Sequence, residues 1–226
     1  ALASAGAEII ILDVNKKAEK NFQTKIRNQG FNIKYKYFNC EKLMDINKNF
    51  SLILKQFQVP DIFINCSYPH TKDWDKNSFK KINLKSFQKN VDIHMNSFSW
   101  LARLAAESMV NKGKGGSIIQ LGSIYGIVGQ DKTIYKNTNM HENMTYSVIK
   151  GGITNLTRQM ASYYGRHNIR VNTLCPGGIE GHVAGKDHKQ DKNFIKNYNN
   201  KTPLGRLGKP DEVALSALFL ASDASS

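Results

Sequence analysis

Tyr146 and Lys150 stand four residues apart in the stretch Tyr146-Ser147-Val148-Ile149-Lys150. Residues four apart share one face of a helix, so a phenol and an ammonium can meet at one site. A neighbouring ammonium favours phenolate and lowers the phenol's pKa from its usual value of about 10, which would let Tyr146 give and take a proton near neutrality. The spacing alone is common, and an amphipathic surface pair has the same pattern. Its flanks narrow the meaning. Upstream, an apolar run ends in Gly122-Ser123-Ile124-Tyr125-Gly126; downstream, another ends in Asn172-Thr173-Leu174-Cys175-Pro176-Gly177-Gly178. A serine at a strand end can donate to a carbonyl oxygen while Tyr146 delivers its proton. Asp13 closes the apolar run Ile9 to Leu12 and is placed to accept hydrogen bonds from a ribose, with a plain turn aspartate as the alternative.

The elements that must position these groups alternate along the chain. Strands are expected at Ile9 to Leu12, Lys34 to Phe38, Asp61 to Cys66, Ser117 to Leu121 and Arg170 to Leu174. Helical spacing runs over Lys16 to Asn28, Lys42 to Phe57, Phe87 to Lys112, Tyr146 to Gly165, and Asp211 to Ala221 after Pro210. This order predicts an α/β fold: a Rossmann-type, doubly wound parallel sheet in three α/β/α layers with right-handed crossovers. Two polar stretches, Ile127 to Thr145 and Glu180 to Pro203, break the rhythm and read as irregular lids. Both leave the carboxyl ends of strands, where ligands bind in such folds.

Composition bounds the rest. With 226 residues, 40% of them hydrophobic, residues 1–226 read as one domain with a substantial core. No apolar run approaches the roughly 20 residues of a membrane helix, so the chain reads as soluble and cytoplasmic, with no membrane partner. Cys40, Cys66 and Cys175 form no paired motif, and His70, His141, His182 and His188 show no ligand spacing, so no metal is assigned. The net charge of +14 is carried by scattered lysines without an arginine stripe or interleaved aromatic platform. That distribution argues against nucleic acid and for attraction of an anionic small-molecule substrate.

Taken together, these motifs resemble the short-chain dehydrogenase/reductase family. The likeness runs end to end, from Ala5-Gly6-Ala7 and Asp13 to Pro203-Leu204-Gly205-Arg206 and Phe219-Leu220-Ala221-Ser222-Asp223. It implies hydride transfer with a nicotinamide cofactor, with Ser123 orienting the substrate, Tyr146 as acid and base, and Lys150 holding the nicotinamide ribose and tuning Tyr146. It further implies that Asp13 favours NAD, with NADP still open through Lys16. Asn39 and Cys40 would border the adenine, Asn65 and Ser67 a tight turn beside the cofactor, and Pro176, Gly177, Gly178 and Ile179 the nicotinamide. His94 falls where many relatives carry an asparagine that anchors a relay water, and it reads either as a replacement relay or as a core histidine; Asn96, two residues on, faces away.

The family's Asn-Asn-Ala-Gly turn is here Asn65-Cys66-Ser67-Tyr68. Its glycine-rich phosphate turn and last strand fall outside the sequence, which therefore reads as trimmed at both ends. The long Ser123 to Tyr146 separation is similar to a subgroup of flagellin-modification and nonulosonic-acid pathway oxidoreductases, which suggests an amino-sugar or sugar-phosphate substrate. Two alternatives stand beside it: a 3-oxoacyl-[acyl-carrier-protein] reductase and a non-catalytic dinucleotide-binding redox sensor. The resemblance also implies a homodimer or homotetramer packed through the helices Phe87 to Lys112 and Tyr146 to Gly165.

Overall fold

A computed structural model of the chain describes residues 1–16, 30–181 and 189–226. Among the described residues, five short strands, rich in β-branched residues, pair in parallel: β1 (Ile9–Asp13) with β2 (Ile33–Tyr37), and β3 (Ile62–Asn65) with β4 (Gly116–Leu121) and β4 with β5 (Ile169–Leu174). The expected single sheet is therefore seen as two parallel ladders, in the orders β1-β2 and β3-β4-β5. A shared core joins them: Leu12, Phe38 and Cys40 from the first ladder pack with Phe63, Ile118 and Val171 from the second.

Alternation along β4 and β5 assigns the two faces. Ile118 and Val171 point into the core with α1 (Ile46–Phe57), α3 (Ser97–Lys112) and α4 (Met144–Tyr164), through Phe50, Ala105, Met109 and Met160. Their neighbours Ser117 and Arg170 point the other way, donating to the Leu220 carbonyl of α6 (Pro210–Ala221) at 2.8 and 2.7 Å. Helices thus cover both faces, as a parallel sheet requires. The architecture is α/β and Rossmann-like.

Three expectations change. The long helix predicted from Phe87 is built from α2 (Leu84–Asn90), a π-helical turn (Val91–Asn96) and α3, so the chain widens where His94 must enter the interior. The segment 180–203 is not irregular throughout, because it contains α5 (Lys192–Asn199). Asp191 caps that helix by accepting from the Asn193 and Phe194 N–H groups, while Phe194, Ile195 and Tyr198 recur on one face. Within 127–145, Lys132–Tyr135 forms a 3₁₀ turn. The helix predicted from Lys16 to Asn28 lies, after its first residue, outside the described residues, as do His182 and His188. Among the described residues no helix is long and apolar enough to cross a membrane.

Candidate active site

The site is built on the carboxyl edge of the second ladder. Register places Leu121 beside Leu174 and Asn65 beside Gln120, so Cys66, Gly122-Ser123 and Cys175 emerge side by side. The turn after Ser123 comes close to α4 at Gly126, where an added Cβ would lie 2.6 Å from the Lys150 carbonyl oxygen. Only glycine permits that approach, and it brings Ser123 to Tyr146. Asn143 caps α4 by accepting from the Tyr146 N–H at 2.8 Å and donates its amide to the Trp74 carbonyl, while Thr145 donates to Asn77 at 2.6 Å. The first turn of α4 is therefore pinned to the segment 74–77 just ahead of the tyrosine.

Ser123, Tyr146 and Lys150 are brought together as the sequence predicts, but the electrostatics differ. Burial raises the Tyr146 phenol, and the opposing influence is its hydrogen bond with Ser123 rather than the ammonium of Lys150. The expected lowering toward neutrality is thus absent, because Lys150 is buried itself and directs its Nζ to the Leu121 carbonyl at 2.7 Å. Without a carboxylate partner among the described residues, desolvation brings the Lys150 pKa down to about 8. Its ammonium lies among the rings of Phe98, Tyr68 and Tyr146, at 5.2, 5.8 and 5.8 Å from their centroids.

His94 is fully buried, with no hydrogen-bond partner on either ring nitrogen. Burial, reinforced by the positive charge of Lys150, pushes its pKa down to about 3, so the imidazole is neutral. Asn96 is exposed and donates to Asp92, as expected of a residue facing away.

The remaining predicted residues lie at the carboxyl ends of strands in both ladders. Asp13 ends β1 exposed, its carboxylate accepting from the Asn15 N–H at 2.8 Å. Asn39 accepts from the Glu41 N–H, and half-buried Cys40 packs on the core with its thiol raised by burial. Asn65 and Ser67 bond to each other, so they close the turn. Pro176 accepts from the Ile124 N–H, and Ile179 bridges to Gly208. Gly178 donates its N–H to the Tyr198 hydroxyl at 2.6 Å, and a Cβ there would lie 2.8 Å from the Tyr198 ring. An exposed carboxylate at a strand end, a buried ammonium without a carboxylate and an imidazole with two orphan nitrogens fit a bound nicotinamide dinucleotide and its ordered water.

Sequence reasoning missed Asn143, Trp74 and Tyr198. Asn143 carried a readable signal, a cap residue directly before a helical pattern; the other two act through tertiary packing.

A family model described as enoyl-(acyl carrier protein) reductase matches residues 1–226, the whole chain. The chain belongs to the short-chain dehydrogenase/reductase family. This family member is similar to the post-translational flagellin modification protein A of Campylobacter coli, 28% identical over 222 residues, covering 96% of this chain and 82% of the relative. It is also similar to an L-rhamnose-1-dehydrogenase of Scheffersomyces stipitis, 35% identical over 147 residues, 65% of this chain and 53% of that one. A short-chain dehydrogenase of Leptospira borgpetersenii, solved with bound NAD+, superimposes with a TM-score of 0.77 at 25% identity, covering 96% of this chain and 87% of that chain. As a short-chain dehydrogenase/reductase, the chain is an NAD(P)-dependent oxidoreductase.

Proposed function

We propose that this dehydrogenase interconverts a hydroxyl and a carbonyl on a phosphorylated or nucleotide-linked sugar, using NAD in preference to NADP. The observation that carries the reaction is the convergence of Tyr146 with buried Ser123 and Lys150 at one corner of the site, the Lys150 ammonium 5.8 Å from the Tyr146 ring. Bound NAD(H) supplies the hydride acceptor or donor. Ser123 donates to the substrate oxygen. Tyr146, kept as a phenol by burial, delivers the proton in reduction and, in the reverse direction, receives the hydroxyl proton. Lys150 stays charged below about pH 8 and holds the ribose. His94, neutral with two orphan nitrogens, anchors a water that returns the proton to solvent.

Asp13 supports NAD, since its carboxylate accepts from ribose hydroxyls and repels a 2′-phosphate. The likeness to an L-rhamnose-1-dehydrogenase supports a sugar. So does the polar cover. Segment 127–145 and α5 are knitted together by the Asn193 and Asn197 amides, the Lys201–Asp131 ion pair and the small cluster of Ile134, Tyr198 and Leu207. Lysines over an anionic sugar attract it by a force that salt screens.

The test assays the full-length enzyme with NAD(H) on sugar phosphates, nucleotide sugars and acyl thioesters at two salt concentrations. Turnover of an anionic sugar with a KM that rises with salt is the expected result. Selective turnover of acyl thioesters would replace this reading with a carrier-protein reductase.

A further inference from the structure

The segment after β3 carries three aromatic side chains within seven residues, Tyr68, His70 and Trp74. Its backbone is held from behind. Asn90 accepts from the Thr71 N–H at 2.9 Å and donates to the Thr71 hydroxyl at 2.8 Å, and Asn143 donates to the Trp74 carbonyl at 3.0 Å. The rings are thus fixed in front of Tyr146. Tyr68 lies 6.1 Å and Trp74 6.3 Å from its ring centroid, His70 stacks on Trp74 at 5.9 Å with 27° between planes, and Tyr68 meets both edge-on at 5.7 and 6.0 Å.

Packing of the interior does not account for these rings. Trp74 backs onto the Phe98, Ile149 and Ile153 cluster, but Tyr68 and His70 belong to no core cluster, and Tyr68 is still 36% exposed although it touches the most buried corner of the site. Open aromatic surface beside a reactive hydroxyl is binding surface. The same entrance carries polar groups: Gln130 donates to Ser147 and to the Asn143 carbonyl, and accepts from the Tyr135 hydroxyl. A ligand suited to this entrance has one C–H face and a hydroxyl-bearing edge, as a sugar ring does. An acyl chain would need apolar surface all round.

We propose that Tyr68, His70 and Trp74 form a stacking wall for the C–H face of the substrate's ring, setting which ring hydroxyl reaches Tyr146. This rests on the sugar reading above. The chain has two tryptophans, and Trp100 lies on α3 bonded to Asn47, away from the site. A Trp100→Phe enzyme therefore reports on Trp74 alone and keeps wild-type turnover. With saturating NAD+, titrating the best-used member of a panel of hexose phosphates and nucleotide-linked hexoses should change Trp74 emission, saturating near KM. Tyr68→Leu should raise KM by about tenfold, and Tyr68→Phe, which keeps the ring, should restore it. Turnover of a sugar with unaltered Trp74 emission, or an unchanged KM in Tyr68→Leu, would overturn the wall while leaving the sugar reading standing. Failure of every sugar in the panel would remove both.

Discussion

The floor and the entrance of the site are built on different terms. Ser123, Lys150 and His94 are all buried, held by strand register and by one face of α4 and the π-helical turn, whereas Tyr68 in the entrance is 36% exposed. Burial adjusts protonation on the floor, bringing Lys150 down to about 8 and His94 to about 3. The entrance segments are joined by their own small cluster of Ile134, Tyr198 and Leu207, separate from the main core. In the proposed reading, chemistry belongs to the desolvated part and selection to the half-open part.

The largest way to break this contrast is on the floor. Tyr146→Phe removes the proton donor and keeps the ring contacts, so turnover should fall by about 10²-fold or more in a steady-state assay with KM little changed. Next, Lys150→Ala should weaken NAD binding about tenfold in a direct titration, by loss of a charged donor. In the wild type, NAD affinity should decline as pH rises through about 8, where the ammonium loses its proton, and this dependence should vanish in Lys150→Ala. Asp13→Ala should narrow the preference for NAD over NADP severalfold, read as the ratio of kcat/KM values.

A separate effect is expected on stability. His94 has a folded pKa of about 3, below the value near 6.5 of the unfolded chain, so the folded state holds it neutral while the unfolded chain takes up a proton. Stability should fall as pH drops from about 6.5 toward 3, and His94→Leu should flatten that slope in denaturant melts. An unaltered slope would mean that burial does not hold His94 neutral in the folded state.

The floor was also the legible part. Apolar strand runs, the four-residue spacing of Tyr146 and Lys150, and the strand-end place of Ser123 are local signals set by backbone geometry, and the structure joins them as read. The charge coupling was misread because sequence spacing gives proximity but not burial. Lys150 turns to the Leu121 carbonyl, and desolvation governs both it and Tyr146. Helix α5 was hidden in a stretch of lysines and asparagines, with Asp191 as the one overlooked start signal. The two-ladder pairing and the ring cluster of Tyr68, His70 and Trp74 depend on contacts distant in sequence, which no periodicity carries.

The most direct measurement is a side-by-side kinetic split on one sugar substrate with NAD: Ser123→Ala from the floor against Tyr68→Leu from the entrance. The account predicts that Ser123→Ala lowers kcat by about 10²-fold at nearly constant KM, since its hydrogen bond strengthens as charge develops, while Tyr68→Leu acts mainly by raising KM. The reverse pattern, with KM lost on the floor and kcat at the entrance, would contradict the separation of chemistry from selection.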